Sequence, residues 1–364
     1  MTDLVVIGGG IVGVSTCYYA KFAGARCTLI ERDGIASQAS GYAFGGLHPR
    51  LISKAGSEMP RFAARSFEEH QRLHGELESL RSVQSTWRRR SSISLAWDEM
   101  EASEFRTHAN ESSTSSRWLD ATDIHRLEPR IAHDALGGLL TTDSAEVDSA
   151  KLADSLFQLA EPEFLEDEVV GVKCTNNGVA GIRTRSGELI TGDAFVFAMG
   201  PWSNLAFDWF DLNRFIQPLK GQILRLQVDG PALQHSFSTN GNYMSTKQDG
   251  LLWIGTTEEQ VEFDESPTNE GRRAIVNVLR RMLPGPIDYS VIKQTACLRP
   301  ITPDGELILG RVPRTRNAYI GTGGGRKGIL YGPLMGKYLA ELALEAKGEA
   351  RWSSLSLNRI ARSH

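Results

Sequence analysis

Cysteine is scarce in this chain. Only four occur in 364 residues, Cys17, Cys27, Cys174 and Cys297, and they show neither C-x-x-C spacing nor a regular framework. That pattern argues against a disulfide scaffold and a structural zinc site, and it fits a reducing compartment. Long apolar runs are also missing. The stretch from Leu4 to Ala20 is broken by glycines where a membrane span is continuous, and a first strand starting at residue 3 leaves no space for a leader's basic and apolar regions. The expectation is a soluble, unexported, cytoplasmic chain with no integral membrane segment. Neither sign of charge dominates: 40 basic residues face 44 acidic ones, for a net charge of −4. The acidic residues are spread along the chain and no basic face suggests nucleic acid. Internal repeats are absent, and the length exceeds what one hydrophobic core usually supports, so two domains are expected.

What is present is most informative at the start. Asp3-Leu-Val-Val-Ile7 runs into Gly8-Gly-Gly10-Ile-Val-Gly13, and the apolar run Cys27-Thr-Leu-Ile30 closes on Glu31 and Arg32. The order predicts a buried parallel strand, a tight turn that brings backbone N–H groups to a pyrophosphate, a helix over 11–23 opening with Ile11 and Val12, and a second strand. Its acidic end suits a ribose hydroxyl. Gly13 then lets the helix lie close to the first strand.

Residues 35–49 are small and flexible and predict a site-lining loop, with Ser40, Gly45, Gly46, Leu47 and His48 in it. Phe62, Ser66, Phe67, His70, Leu73, Leu77 and Leu80 recur at helical spacing and predict a long amphipathic helix, with core packing a sufficient account of it. Between 81 and 130 the composition changes to Arg88-Arg-Arg90, a serine-rich stretch at 112–116 and short strand-like runs, which marks a second domain. The arginines read as a solvated charge run. Further on, a helix is expected over 152–159 and short β runs at 169–174, 179–183 and 189–190. A buried strand then delivers Gly200 and Trp202 at its carboxyl end, where such sheets bind ligands. Residues 218–226 and 243–255 read as antiparallel strands, the latter with an Asp249-Gly250 turn, and a helix spans 269–283. Finally Ala318–Thr322, Gly323-Gly-Gly325-Arg-Lys-Gly328-Ile329 and a helix over 330–347 aim a third glycine loop into a helix N-terminus, a setting for an electron-rich group.

Taken in order, these residues resemble the D-amino-acid oxidase-like flavoenzymes, most of all glycine oxidase and the sarcosine oxidases. The resemblance covers most of the chain. It rests on Gly8, Gly10, Gly13 and Glu31, Ala39-Ser40, Gly45-Gly46, Pro218-Leu-Lys-Gly-Gln222, Gly250 to Glu258, Leu298-Arg299-Pro300 to Gly305, and Gly325-Arg326-Lys-Gly328-Ile. It implies an α/β fold: a Rossmann-like FAD-binding domain (1–84, 142–214, 294–364) and a second α+β substrate domain built on an antiparallel sheet (85–141, 215–293). It further implies that Glu31 holds the adenosine ribose, that Val169 or Val170 lies beside the adenine, and that Gly323 to Ile329, including Arg326, Lys327 and Gly328, face the flavin's pyrimidine edge.

The implied chemistry is oxidation of an amine carbon to an imine by hydride transfer to flavin N5, followed by hydrolysis, on a small amine carboxylate. Electrons pass on to O2, a quinone or another carrier. Arg299 is expected to hold the substrate carboxylate through two parallel charge-assisted bonds, with Tyr243 and Arg326 assisting and His48 near substrate or flavin. Cys297 falls where sarcosine oxidases join the flavin covalently, but relatives with Leu-Arg-Pro bind FAD non-covalently, and the latter is the expectation. Two positions depart from the family pattern. Gly324 and Lys327 stand where histidine and asparagine are common, and Gly324 is expected to open space at the flavin edge. The oxygen-activating lysine of sarcosine oxidases has no clear counterpart, which leaves oxidase against dehydrogenase open. Other readings are a flavin domain acting on a modified wobble uridine, suggested by residues 39–41 and Pro49-Arg50, a 2-hydroxy acid dehydrogenase with His48 as base, and a non-catalytic flavin-binding subunit. The subunit count is not legible.

Overall fold

The computed structural model describes residues 2–49, 56–80, 86–111, 115–176, 178–345 and 352–361. Arg50, residues 81–85 and positions 112–114 of the serine-rich stretch therefore lie outside the described residues. The chain divides into one unit made of 1–87, 147–219 and 298–364 and another made of 88–146 and 220–297, each break a few residues later than expected.

The first unit is built on a six-stranded sheet. Its strands are β1 (Asp3–Ile7), β2 (Arg26–Glu31), β3 (Glu163–Glu166), β4 (Ala194–Phe197), β5 (Ile308–Arg311) and β6 (Ala318–Thr322), in spatial order β5-β6-β4-β1-β2-β3. All neighbours are parallel except β5 and β6. The inner strands carry apolar runs, Leu4–Ile7, Leu29–Ile30 and Ala194–Phe197, because both faces are covered there. In β1, Leu4 pairs with Cys27 and Ala194, and Ile7 with Ile30 and Phe197. Val5, Ile7, Ile30, Phe195, Phe197 and Ile320 form the centre of one core.

Helix α1 (Ile11–Phe22) is buried on most sides, and its close neighbour is the helix Gly328–Glu345. Glycine makes that approach feasible: a Cβ on Gly332 would stand 2.6 Å from Ile11 Cγ2, and one on Gly336 would stand 2.5 Å from Ser15 Cβ. The predicted amphipathic helix runs over Met59–Ser79 and buries Phe62, Ser66, Phe67, His70, Leu73 and Leu77. Leu80 follows its end and is exposed. The region 35–49 is more ordered than a loop, with a helical turn at Ala39–Tyr42 and a short strand at Gly46–Leu47.

The second unit carries an eight-stranded sheet in the order 289–301, 217–228, 252–255, 242–246, 236–239, 92–96, 137–141, 116–120. From 217–228 through to 116–120 neighbouring strands run antiparallel, except that 236–239 lies parallel to 92–96. One face, with Leu224, Leu226, Met244, Ile254 and Phe237, packs on Ile275, Leu279 and Met282 of the helix Asn269–Met282. Thr268 caps that helix by accepting from Gly271 N at 3.0 Å.

The solvated charge run is corrected here. Arg88 pairs with the buried Glu146 and donates to the Thr246 carbonyl at 2.6 Å, while Arg90 donates to the Leu233 carbonyl; only Arg89 is exposed. Residues two apart on an extended segment point the same way, so Arg88 and Arg90 both turn inward to acceptors.

Candidate active site

The carboxyl ends of the parallel strands meet a cleft with about 800 Å³ of empty space, open solvent included. It is lined by Gly8–Gly10 after β1, by Glu31 to Ser40 after β2, by Asp167–Val169 after β3 and by Ala198–Trp202 after β4. This is the crevice that the strand order predicts, because the chain leaves β1 toward opposite sides of it.

Two glycines are dictated by close approach. Gly8 has φ +108°, and a Cβ there would lie 2.3 Å from the Ala198 carbonyl oxygen. A Cβ on Gly13 would lie 1.9 Å from the Gly8 carbonyl oxygen, so the first turn of α1 is seated directly on the loop before it. Gly10 occupies the N-cap with no side-chain cap, and Ile11 N donates to Ser40 Oγ at 2.9 Å. Positive helix-end potential and N–H groups converge there, as an anionic diphosphate requires. Opposite, Glu31 accepts from Gly9 N at 2.6 Å and from Asp33 N at 2.8 Å. The carboxylate is thereby fixed while further lone pairs stay available to a diol.

Arg32 lies 4.8 Å from the Trp202 ring centroid and pairs with Asp33, so both expected residues are at the cleft. Val169 lines it, whereas Val170 is exposed, because alternate residues of a strand face opposite ways. Asp167 and Glu168, absent from the sequence expectation, also line the cleft. Their only signal was their position just before a strand. Asp167 is held down at about 2, chiefly by hydrogen bonds from Ser186 and Thr184.

A second group in the same unit gathers the other glycine loops. Gly45 has φ +74°, and a Cβ there would meet the Val147 carbonyl oxygen at 2.0 Å. Thr322 Oγ1 at the end of β6 donates to the Gly200 carbonyl at 3.0 Å, which ties the last glycine loop to the end of β4. Lys327 Nζ donates to the His48 carbonyl at 2.9 Å, joining this loop to the segment after Gly46 and Leu47, and burial pushes its ammonium down to about 8. His70 Nε2 lies 2.9 Å from the Ile329 carbonyl oxygen and holds the following turn. Gly323 and Gly325 have positive φ, and Gly328 starts the helix. The expected opening at Gly324 is overturned: a Cβ there would be 2.7 Å from Gly328 Cα, so backbone crowding requires the glycine.

Among the expected substrate residues, Arg299 is 9% exposed, near the end of strand Tyr289–Ile301 in the first unit. Arg326 is exposed, and Tyr243, in the second unit, is half-buried. Cys297 is buried on the same strand as Arg299, and none of the four cysteines is in a disulfide.

A parallel sheet with an uncapped glycine turn, a fixed carboxylate and a cleft at the strand ends defines a dinucleotide-binding α/β protein. The chain belongs to the FAD dependent oxidoreductase family, whose model matches residues 3–342. It is 27% identical over 356 residues to the glycine oxidase of Bacillus licheniformis, covering 96% of this chain and 95% of that one. Glycine oxidase from Geobacillus kaustophilus superposes with a TM-score of 0.91 at 25% identity, covering all of both chains. Iminodiacetate oxidase from Chelativorans sp. gives 0.86 at 25% identity, covering 97% of this chain and 98% of that one. The cofactor is FAD, and the turn, helix end and carboxylate described above fit its diphosphate and ribose. No described helix is long and apolar enough to cross a membrane.

Proposed function

We propose that this enzyme oxidises the C–N bond of a small amino acid or N-alkyl amino acid to an imine that water hydrolyses. Bound FAD supplies the hydride acceptor. The chain's own contribution is mainly to positioning, since holding the amine with its C–H aimed at the acceptor accounts for much of such a rate. Arg299 is the residue that carries this reading. A guanidinium only 9% exposed gives a substrate carboxylate two parallel bonds. Arg326 assists at the loop, and His48 flanks the site.

The helix end at Gly328, with Gly323, Gly325 and Lys327 shaping its loop, would offer backbone donors and positive potential to the negative charge that collects on a reduced flavin. FAD is held non-covalently, Cys297 serving as an ordinary buried thiol. The enzyme works in the cytoplasm, where its free thiols persist. The relatives' names, glycine oxidase and iminodiacetate oxidase, support an amine carboxylate as substrate. Anaerobic addition of glycine, sarcosine, D-alanine, D- and L-proline and 2-hydroxyglutarate tests this: an amine bleaches the flavin, whereas bleaching by the hydroxy acid alone contradicts it. Oxygen uptake after bleaching then separates O2 from a quinone or carrier protein as electron acceptor.

A further inference from the structure

Helix Met59–Ser79 and helix Gly328–Glu345 both belong to the first unit, and they touch at two levels. Phe62 and Tyr331 meet edge to face with ring centroids 5.8 Å apart, while His70 reaches the backbone at Ile329. The first contact is ordinary core packing. The second is a fully buried polar group meeting a carbonyl, which helical spacing alone does not account for.

Its cause lies four residues further on. Pro333 stands inside the helix and has no N–H, so the Ile329 carbonyl cannot receive the bond that an α-helix supplies from residue i+4. His70 Nε2 lies 2.9 Å from that oxygen. A carbonyl only accepts, so Nε2 carries the hydrogen, and the ring gives the bond that Pro333 cannot. Burial pushes the imidazole down to about 4, which keeps it neutral with one ring hydrogen at neutral pH. Its plane is set by the His74 ring, stacked at 5.8 Å and 12°, and His74 in turn lies on Trp87 at 6.2 Å. Ile329 sits in the first helical turn, just after Gly325-Arg-Lys-Gly328. On the α1 side of the same helix, a Cβ on Gly332 would stand 2.6 Å from Ile11 Cγ2. The turn is thus fixed by α1 and by His70 together.

We propose that His70 is a positioning residue for the flavin: its Nε2–H replaces the missing Pro333 N–H at the Ile329 carbonyl and holds the helix end whose amides and positive potential favour the reduced cofactor. The proposal rests on the reading that Gly323 to Ile329 face the flavin. When the bond is removed, the buried carbonyl loses its donor, and the turn either shifts or keeps an uncompensated negative dipole end beside its amides. Both outcomes make the reduced flavin less favourable.

The test measures the two-electron potential of the bound flavin, by reduction with dithionite against a redox dye, in FAD-loaded wild-type enzyme and four variants. These are His70→Leu, His70→Gln, Pro333→Ala and the double variant His70→Leu with Pro333→Ala. In His70→Leu the reduction equilibrium should move at least tenfold toward the oxidised form, about 30 mV for a two-electron couple. His70→Gln, which keeps a side-chain donor, should move it less, and Pro333→Ala alone should change it less than twofold. In the double variant the helix regains its own N–H at position 333, and most of the shift should disappear; a role for His70 in packing alone gives no such rescue. An unchanged potential in His70→Leu, or a shift that Pro333→Ala does not reverse, overturns the proposal. Lys327→Met checks the loop's place separately. If it moves the potential and His70→Leu does not, only the assignment of His70 fails; if neither does, the loop's place at the flavin fails with it. Should His70→Leu not retain flavin, retention becomes the readout: recovery in the double variant supports the proposal, and none overturns it.

Discussion

At the scale of single residues, the glycines of the first turn were the most legible part of the chain, because the strand and helix around them give their spacing a context. Gly8 and Gly13 are required by two carbonyl oxygens closer than any Cβ tolerates. Gly13→Ala is therefore expected to abolish FAD retention, read from the flavin-to-protein absorbance ratio of the purified protein. Arg299→Ala leaves the nucleotide cleft untouched. Removing one partner of a buried charge pair costs about 2–5 kcal/mol, so kcat/KM should fall roughly 30- to 5,000-fold while FAD stays bound. Acid precipitation should release the yellow colour to the supernatant, since Cys297 is expected to be unlinked; colour in the pellet contradicts that.

Residues whose role depends on distant partners were harder to read. Arg88 and Arg90 resembled a solvated run because Glu146, Thr246 and Leu233 are remote in sequence. Gly324 suggested an opened pocket because the nearness of Gly328 Cα is a property of the folded turn.

At the scale of elements, strands and helices with strong periodicity fell where expected, as Met59–Ser79 and Asn269–Met282 show. The helical turn at Ala39–Tyr42 was missed because four residues give no period to detect. Asp167 and Glu168 reach the cleft only through the position of β3 in the sheet, which the local pattern does not specify.

Helix Met59–Ser79 also carries a pH dependence. Its His70 and His74 rings stack at 5.8 Å, and burial pushes them down to about 4 and about 3. The unfolded chain takes up protons near pH 6.5 that the folded helix refuses. Their contribution is thus at its most favourable above that pH and is lost on acidification, by about 1.4 kcal/mol per pH unit for each ring between pH 6 and 4. Urea unfolding at pH 7 and pH 5 measures this, and His74→Gln should make the stability less dependent on pH in that range.

At the scale of the whole molecule, the two units each have their own core, and the sequence order 1–87, 147–219, 298–364 shows that the first is assembled from three separate stretches. The fold class was legible because the nucleotide motifs and the antiparallel runs differ in period and glycine content. Binding of FAD to the native state alone should stabilise the protein by about 4 kcal/mol at a free concentration 1,000 times Kd, seen as a higher Tm on adding FAD to apoprotein.

The central claim is that Arg299 anchors an amine carboxylate for oxidation. The most direct measurement is anaerobic bleaching of the bound flavin by the amine series in wild-type and Arg299→Ala enzyme, with FAD content matched. The account predicts bleaching by at least one amine carboxylate and its near loss in the variant. Equal bleaching in both proteins, or bleaching by 2-hydroxyglutarate and by no amine, would contradict it.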